Sequence, residues 1–172
     1  MSMKIRIFGI VPDSITDGPG FRCGIFTQGC LHHCKGCHNP ESWAMDGGTE
    51  YDTADIIAMW DKNPLLKGIT LSGGDPFYQP KPCLELAKAA HAKGLNVFAF
   101  TGYTFEEIMK VAETDADVAA LLRECDFLVD GPFILAERSL ELLYRGSENQ
   151  RILDMKKSLA EGKAVWAEEY RD

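Results

Sequence analysis

Leu66-Lys67-Gly68-Ile69-Thr70-Leu71, followed by Ser72-Gly73-Gly74-Asp75-Pro76, is the stretch from which the fold is read. The largely apolar first part predicts a buried strand over 66–71, and the paired glycines and proline end it in a turn. A helical pattern over 83–92 then stops at Lys93-Gly94, a C-terminal signal, and a second apolar run predicts a strand over 95–101. Strand, turn, helix and strand in that order make a parallel βαβ unit. On either side the alternation continues. Strands are expected over 4–11, 22–28 and 127–130, with 151–154 and 164–168 as strands or extended ends. Helices are expected from an N-cap at Thr53 to about 62, from a capping box of Thr104 and Glu107 to 112, over 115–123 and over 135–143. The chain has no repeat, linker or low-complexity tract, so 1–172 is expected to be one α/β domain. An eight-unit β/α barrel takes about 250 residues, so roughly five or six units fit here. The expected architecture is an incomplete, open TIM-like β/α barrel.

Composition narrows what such a domain does. Hydrophobic residues form 45% of the chain, enough for a packed core. There are 18 Lys and Arg against 26 Asp and Glu, a net charge of −8, and nucleic-acid binding would need a basic face instead. No apolar run reaches the length of a membrane helix, and Met1-Ser2-Met3-Lys4-Ile5-Arg6 has no secretory pattern. A cytoplasmic protein without a membrane or nucleic-acid partner is expected. In that compartment cysteines read as metal-binding or catalytic rather than as disulfides.

Three of the six cysteines lie in Cys30-Leu31-His32-His33-Cys34-Lys35-Gly36-Cys37, a C-x3-C-x2-C spacing in a loop without periodicity. Thiolates select zinc or iron–sulfur clusters. A structural zinc needs four closed ligands, so His32, His33 or His38 would have to serve as the fourth. A 4Fe–4S cluster normally takes four cysteines, and three leave one iron open, as a catalytic site requires. The loop follows the 22–28 strand, the Gly-Gly pair follows the 66–71 strand and Asp130 ends the 127–130 strand. In parallel α/β folds these strand ends form one functional rim.

The same spacing resembles the cluster loop of the radical S-adenosylmethionine superfamily, although Gly36 stands where an aromatic residue is common. That resemblance implies a 4Fe–4S cluster on Cys30, Cys34 and Cys37, with S-adenosylmethionine bound at the open iron. Gly73-Gly74-Asp75-Pro76 is similar to the superfamily's Gly-Gly-Glu-Pro element, implying that Gly73, Gly74 and Asp75 hold the methionine amine. Backbone of Gly36, Cys37 and His38 is the candidate contact for the adenine, and Asp130, on the same rim, for polar groups of the cofactor. Asp17-Gly18-Pro19-Gly20-Phe21-Arg22 before the loop and His38-Asn39-Pro40 after it resemble the activating enzymes of glycyl-radical proteins. Val129-Asp130-Gly131-Pro132-Phe133 and Arg145-Gly146-Ser147-Glu148-Asn149-Gln150-Arg151 resemble elements of the anaerobic ribonucleoside-triphosphate reductase activating proteins. Membership implies reductive cleavage of the cofactor to a 5′-deoxyadenosyl radical that takes hydrogen from a glycine Cα. The implied partners are the large reductase subunit and a one-electron reductant protein. No protein general base is expected.

Two other readings remain at this level besides activation of a different glycyl-radical enzyme such as pyruvate formate-lyase. A radical enzyme acting on a small molecule would need more chain to close its pocket. A zinc-binding adaptor would be colourless where a cluster protein is brown. Cys23, Cys83 and Cys125 read as packing thiols. His32 and His33 read as loop groups or groups behind the ligands, and His91 as a helix-end residue. Glu113, Asp115, Asp117 and Glu124 read as a solvated acidic face, and Trp43, Trp60 and Trp166 as core or interface aromatics.

Overall fold

Three strands precede a central run of alternating strands and helices in a computed structural model that describes residues 3–37, 40–142 and 144–171. The strands are β1 (Lys4–Ser14), β2 (Arg22–Thr27), β3 (Thr49–Asp52), β4 (Gly68–Gly73), β5 (Asn96–Phe100), β6 (Phe127–Asp130) and β7 (Arg151–Asp154). The α-helices are α1 (Thr53–Trp60), α2 (Pro80–Ala92), α3 (Phe105–Thr114), α4 (Ala116–Glu124) and α5 (Met155–Glu161). One sheet holds all seven strands in the order β3-β1-β2-β4-β5-β6-β7. β2, β4, β5 and β6 run parallel, with Ile25 opposite Leu71, Ile69 opposite Val97 and Ala99 opposite Leu128. β1 and β3 extend one side antiparallel and β7 the other. The fold is therefore α/β with a mixed sheet that does not close. Four parallel strands replace the five or six units expected, because both flanks of the sheet are antiparallel additions.

Side chains alternate between the sheet's two faces. Cys23, Ile25, Ile69, Leu71, Val97, Ala99 and Leu128 join the helix residues Ile56, Leu86, Ile108 and Leu121 in the main core. On the other face Phe98, Val129 and Ile152 pack with Ala167 and a fringe of Phe100, Phe127, Tyr144, Trp166 and Tyr170. The helices thus leave the second sheet face to loops and to the cavity described below.

Arg22 is the largest fully buried side chain, at 0% exposure, and no carboxylate pairs with it among its hydrogen bonds. Its guanidinium donates to Thr70 Oγ1 (2.9 Å), Pro19 O (3.0 Å), Ile69 O (2.8 Å) and Asn96 Oδ1 (2.6 Å), and lies over the Phe98 ring. Burial lowers its pKa to about 10, which still leaves a cation at neutral pH. This set of bonds ties the loop before β2 to β4 and β5. Four oxygens and an aromatic face can hold a buried guanidinium because it presents its donors in a fixed plane.

Several boundaries differ from expectation. Asp52, not Thr53, caps α1, accepting from Ala54 N–H, while Thr53 Oγ1 accepts from Met3 N–H. The capping box of Thr104 and Glu107 is present on α3. β3 and α5 had no sequence expectation. The helix expected over 135–143 is a single 3-10 turn, Leu135–Glu137, followed by a bridge from Arg138 to Ser147. Leu140 there is 83% exposed, so its leucines do not form a core-facing stripe. At 164–168 only Trp166 bridges to Leu153 before a 3-10 turn, Glu168–Tyr170. Asp115 and Glu124 are not merely solvated: Asp115 caps α4, and Glu124 meets His91.

His91 closes α2 against the neighbouring connection, its Nδ1 2.8 Å from Glu124 Oε2 and its Nε2 2.9 Å from Asp126 Oδ2. Partial burial alone would lower its pKa, but the bonds to Asp126 and Glu124 outweigh that, and the net shift is upward. A raised folded-state pKa adds stability that is fully present below the unfolded value of about 6.5 and is lost as pH rises through the folded value. Denaturant unfolding of wild type and His91→Gln is therefore expected to show the widest stability gap near pH 5.5 and a narrower one near pH 8.5. A gap that does not change with pH would contradict the cationic bridge.

Candidate functional site

The site begins where β2 ends. Gly29 N–H donates to Ser42 O (2.6 Å) and Cys30 N–H to Trp43 O (3.1 Å), so the residues that enter the cysteine segment are pinned to those that follow it. Gln28 braces the base, donating from Nε2 to Glu41 O and Ala44 O. Within the loop, Cys37 N–H donates to Cys34 O (3.0 Å), a tight turn that returns the third cysteine towards the second. His33 adopts a left-handed φ of 49° and stacks on Trp43, ring centroids 4.5 Å apart.

Cys30, Cys34 and Cys37 line one cavity of about 530 Å3, with Ser72, Gly73 and Gly74 from the end of β4 on its wall. That volume lies in the range of about 300–1,000 Å3 typical of small-molecule sites. Burial is the main cause lifting the Cys30 thiol to about 11, with backbone hydrogen bonds at His32 and His33 acting the other way. Burial also raises Cys34, opposed by the Phe133 backbone. Backbone amides around Cys30 and Cys34 are thus already placed to receive thiolates. Among the described residues no three His, Cys, Asp or Glu side chains converge closely enough to share one metal ion. A cubane asks for less convergence, since each thiolate takes a different iron. The three-cysteine set facing an open cavity therefore fits a 4Fe–4S cluster with one accessible corner better than a closed zinc site.

The other cysteines are elsewhere. Cys23 belongs to the helix-side core, raised to about 11 chiefly by burial. Cys83 and Cys125 are buried in the same core, and all six cysteines are free thiols.

The turn after β4 is welded to the base of the cysteine loop. Gly74 N–H donates to Thr27 O (2.7 Å) and Asp75 N–H to Gly29 O (2.9 Å). Gly73 has a φ of 103°, and a Cβ on Gly74 would overlap the Gly29 carbonyl. Both glycines are thus needed by the protein's own backbone, before any ligand is considered.

Two expected cofactor contacts are placed differently. The Asp75 side chain, 0% exposed, is turned inward. Its carboxylate accepts from Phe77 N–H (3.0 Å), Thr101 Oγ1–H (2.8 Å), Gly102 N–H (3.0 Å) and His32 Nε2 (2.8 Å). It is the hub of the site rather than part of the cavity wall. Asp130, 1% exposed, accepts from Phe105 N–H at the start of α3 (2.7 Å) and from Arg151 Nε (3.0 Å), and so joins helix α3 to β7. Its bond to Arg151 is the first cause of that guanidinium's raised pKa. Gly36 is exposed, with a left-handed φ of 79° and Leu135 beside it, and Cys37 is on the cavity wall; His38 lies outside the described residues. The sequence does not single out Arg145, which lines the cavity, donates to Gln150 O (2.7 Å) and stacks on Trp166. His32, expected as a loop group or a group behind the ligands, belongs to the hub.

A chain built as an open α/β sheet, with three free thiols gathered on one loop above the parallel strand ends, belongs to the iron–sulfur class. Over residues 16–153 it matches the family model described as "4Fe-4S single cluster domain". It is also similar to proteins named anaerobic ribonucleoside-triphosphate reductase-activating protein from three sources. With that of Vibrio cholerae it is 36% identical over 149 residues, covering 82% of this chain and 92% of the relative. With that of Escherichia coli K12 the identity is 32% over 148 residues, covering 81% and 92%. With that of Enterobacteria phage T4 it is 32% over 152 residues, covering 83% and 90%. The chain belongs to the family of anaerobic ribonucleoside-triphosphate reductase-activating proteins.

Proposed function

We propose that this chain activates an anaerobic ribonucleoside-triphosphate reductase, using a 4Fe–4S cluster held by Cys30, Cys34 and Cys37 and S-adenosylmethionine bound beside it. The observation that carries the reading is the shared cavity, which puts three cluster-type cysteines opposite the Gly73 and Gly74 backbone in a chain of this family. When bound, the cluster supplies the electron that breaks the cofactor's sulfonium C–S bond, giving a 5′-deoxyadenosyl radical able to take hydrogen from a glycine Cα of the reductase. The protein's own residues position and exclude. Gly73 and Gly74 present backbone to the methionine end, and Gly36 and Cys37 line the approach to the adenine. Asp75 acts from behind, holding the turn, and Asp130 holds α3 and β7. A one-electron reductant protein and the large reductase subunit are the partners. The mixed sheet is read as an open barrel of the radical S-adenosylmethionine type, 1–172 as one domain, and the cytoplasm as the compartment. No described helix is long and apolar enough to cross a membrane.

The test is anaerobic reconstitution with iron and sulfide, followed by assay for 5′-deoxyadenosine in the presence of dithionite and S-adenosylmethionine. A brown protein with about four irons per chain and dithionite-dependent 5′-deoxyadenosine is expected. A colourless, zinc-loaded protein that leaves the cofactor intact would mean an adaptor instead.

A further inference from the structure

The two halves of the site lie far apart in sequence, and one side chain joins them. His32 sits between the first two cysteines, yet its ring leaves the loop to contact residues beyond β4 and β5. Nε2 is 2.8 Å from Asp75 Oδ2, the same oxygen that accepts from Thr101 Oγ1 and Gly102 N–H. The ring stands edge-on to Tyr103, centroids 4.6 Å apart, and tilted to Tyr78 at 5.7 Å; the two tyrosine hydroxyls are 3.2 Å apart. Its side chain is 15% exposed, against 0% for Asp75. Room for it exists because position 102 is glycine: a Cβ there would overlap the imidazole.

We infer that His32 is a positioning residue: through the carboxylate of Asp75 it locks the cysteine loop and the Gly73–Gly74 backbone into one frame. The inference deepens the function proposed above and rests on it for what the frame positions. The geometry supports a latch over simple packing for three reasons. A fully buried carboxylate demands donors, and His32 is the only one of its four supplied by the cysteine loop. His33, next in sequence, stacks on Trp43, so consecutive loop residues are held by different partners. The backbone tie from Asp75 N–H to Gly29 O holds the base of the loop, whereas His32 holds its body, where the cysteines are. Small displacements there matter, since productive geometry must be held to within about 0.5 Å.

The test separates hydrogen bond from ring. His32→Phe keeps an aromatic ring against Tyr103 and Tyr78 but has no donor; His32→Gln keeps a donor of similar reach. Gly102→Ala pushes the imidazole out without touching it chemically. In the cluster-free chain, amide hydrogen exchange at Gly102 and across residues 30–37 is expected to quicken in His32→Phe and Gly102→Ala and to stay near wild type in His32→Gln. After anaerobic reconstitution all four proteins are expected to hold iron. S-adenosylmethionine affinity by equilibrium dialysis is then expected to fall about tenfold in His32→Phe and Gly102→Ala, the scale of one lost charged hydrogen bond, and to recover in His32→Gln. The cofactor-induced change in the electron paramagnetic resonance spectrum of the reduced cluster is expected to follow the same order. Wild-type affinity and wild-type exchange in His32→Phe would overturn the latch. So would loss of iron in His32→Phe and His32→Gln alike, because His32 would then serve cluster retention alone. A wild-type chain that binds no cofactor would defeat the proposed function, while the exchange comparison in the cluster-free chain would still decide the latch.

Discussion

Cys34→Ala is expected to abolish stable iron retention, whereas Cys83→Ala and Cys125→Ala are expected to keep it. Cys34 lies on the cavity wall between two other thiols, and removing it leaves two ligands for a cluster that already lacks a fourth cysteine. Cys83 and Cys125, 0% and 4% exposed, are sealed in the helix-side core, where burial drives their thiol pKa far upward and no metal can reach. Their replacement removes one small buried atom each, costing about 1 kcal/mol of stability. Iron and sulfide analysis with an anaerobic absorption spectrum reads all three variants. Full iron in Cys34→Ala, or none in Cys83→Ala, would contradict the assignment. Because Cys30 starts as a thiol with a pKa of about 11, cluster assembly must release its proton, and reconstitution is expected to weaken as pH falls.

Asp75→Ala is expected to unfold the chain far more readily than its place in a short turn suggests. The substitution takes the acceptor from two buried donors, Phe77 N–H and Thr101 Oγ1–H, and from two partly buried ones, Gly102 N–H and His32 Nε2. Each buried donor left without an acceptor costs about 1–3 kcal/mol, and non-additivity still leaves a loss of about 3 kcal/mol or more. Asp75→Asn keeps one carbonyl acceptor and the shape, so it is expected to lose less. Denaturant unfolding of the cluster-free chain measures both. A cluster-free Asp75→Ala within about 0.5 kcal/mol of wild type would show that the carboxylate does not organise the turn.

Asp75 also marks the boundary of what the sequence discloses. Cysteine spacing is a local signal, so Cys30, Cys34 and Cys37 stand out in one dimension, and the structure gathers them on one cavity. The apolar runs of β2, β4, β5 and β6 are equally local, because strands buried on both faces read as largely apolar stretches. The direction of a side chain at a strand end is not local. Asp75 is filled by partners up to 43 residues away, a pairing that only the folded sheet creates. Asp130 is likewise settled by Arg151, which β7 delivers antiparallel beside it. β3, Thr49-Glu50-Tyr51-Asp52, escaped notice because an edge strand with no fully buried residue needs no apolar alternation. α5 has only seven residues and follows β7 without a break, so nothing in sequence separates the two. Leu135, Leu140 and Leu142 misled in the opposite sense: Leu140 and Leu142 line the cavity, and Leu135 lies beside Gly36.

The activity proposed for this chain is to make a radical in another protein. The most direct measurement is an electron paramagnetic resonance spectrum of the reconstituted chain mixed anaerobically with S-adenosylmethionine, a one-electron reductant and the large anaerobic ribonucleotide reductase subunit. The expected result is a glycyl doublet that disappears when the reductase's radical glycine is changed to alanine, and also when Cys34 of this chain is changed to alanine. A mixture that cleaves the cofactor yet yields no glycyl signal in the reductase would contradict it.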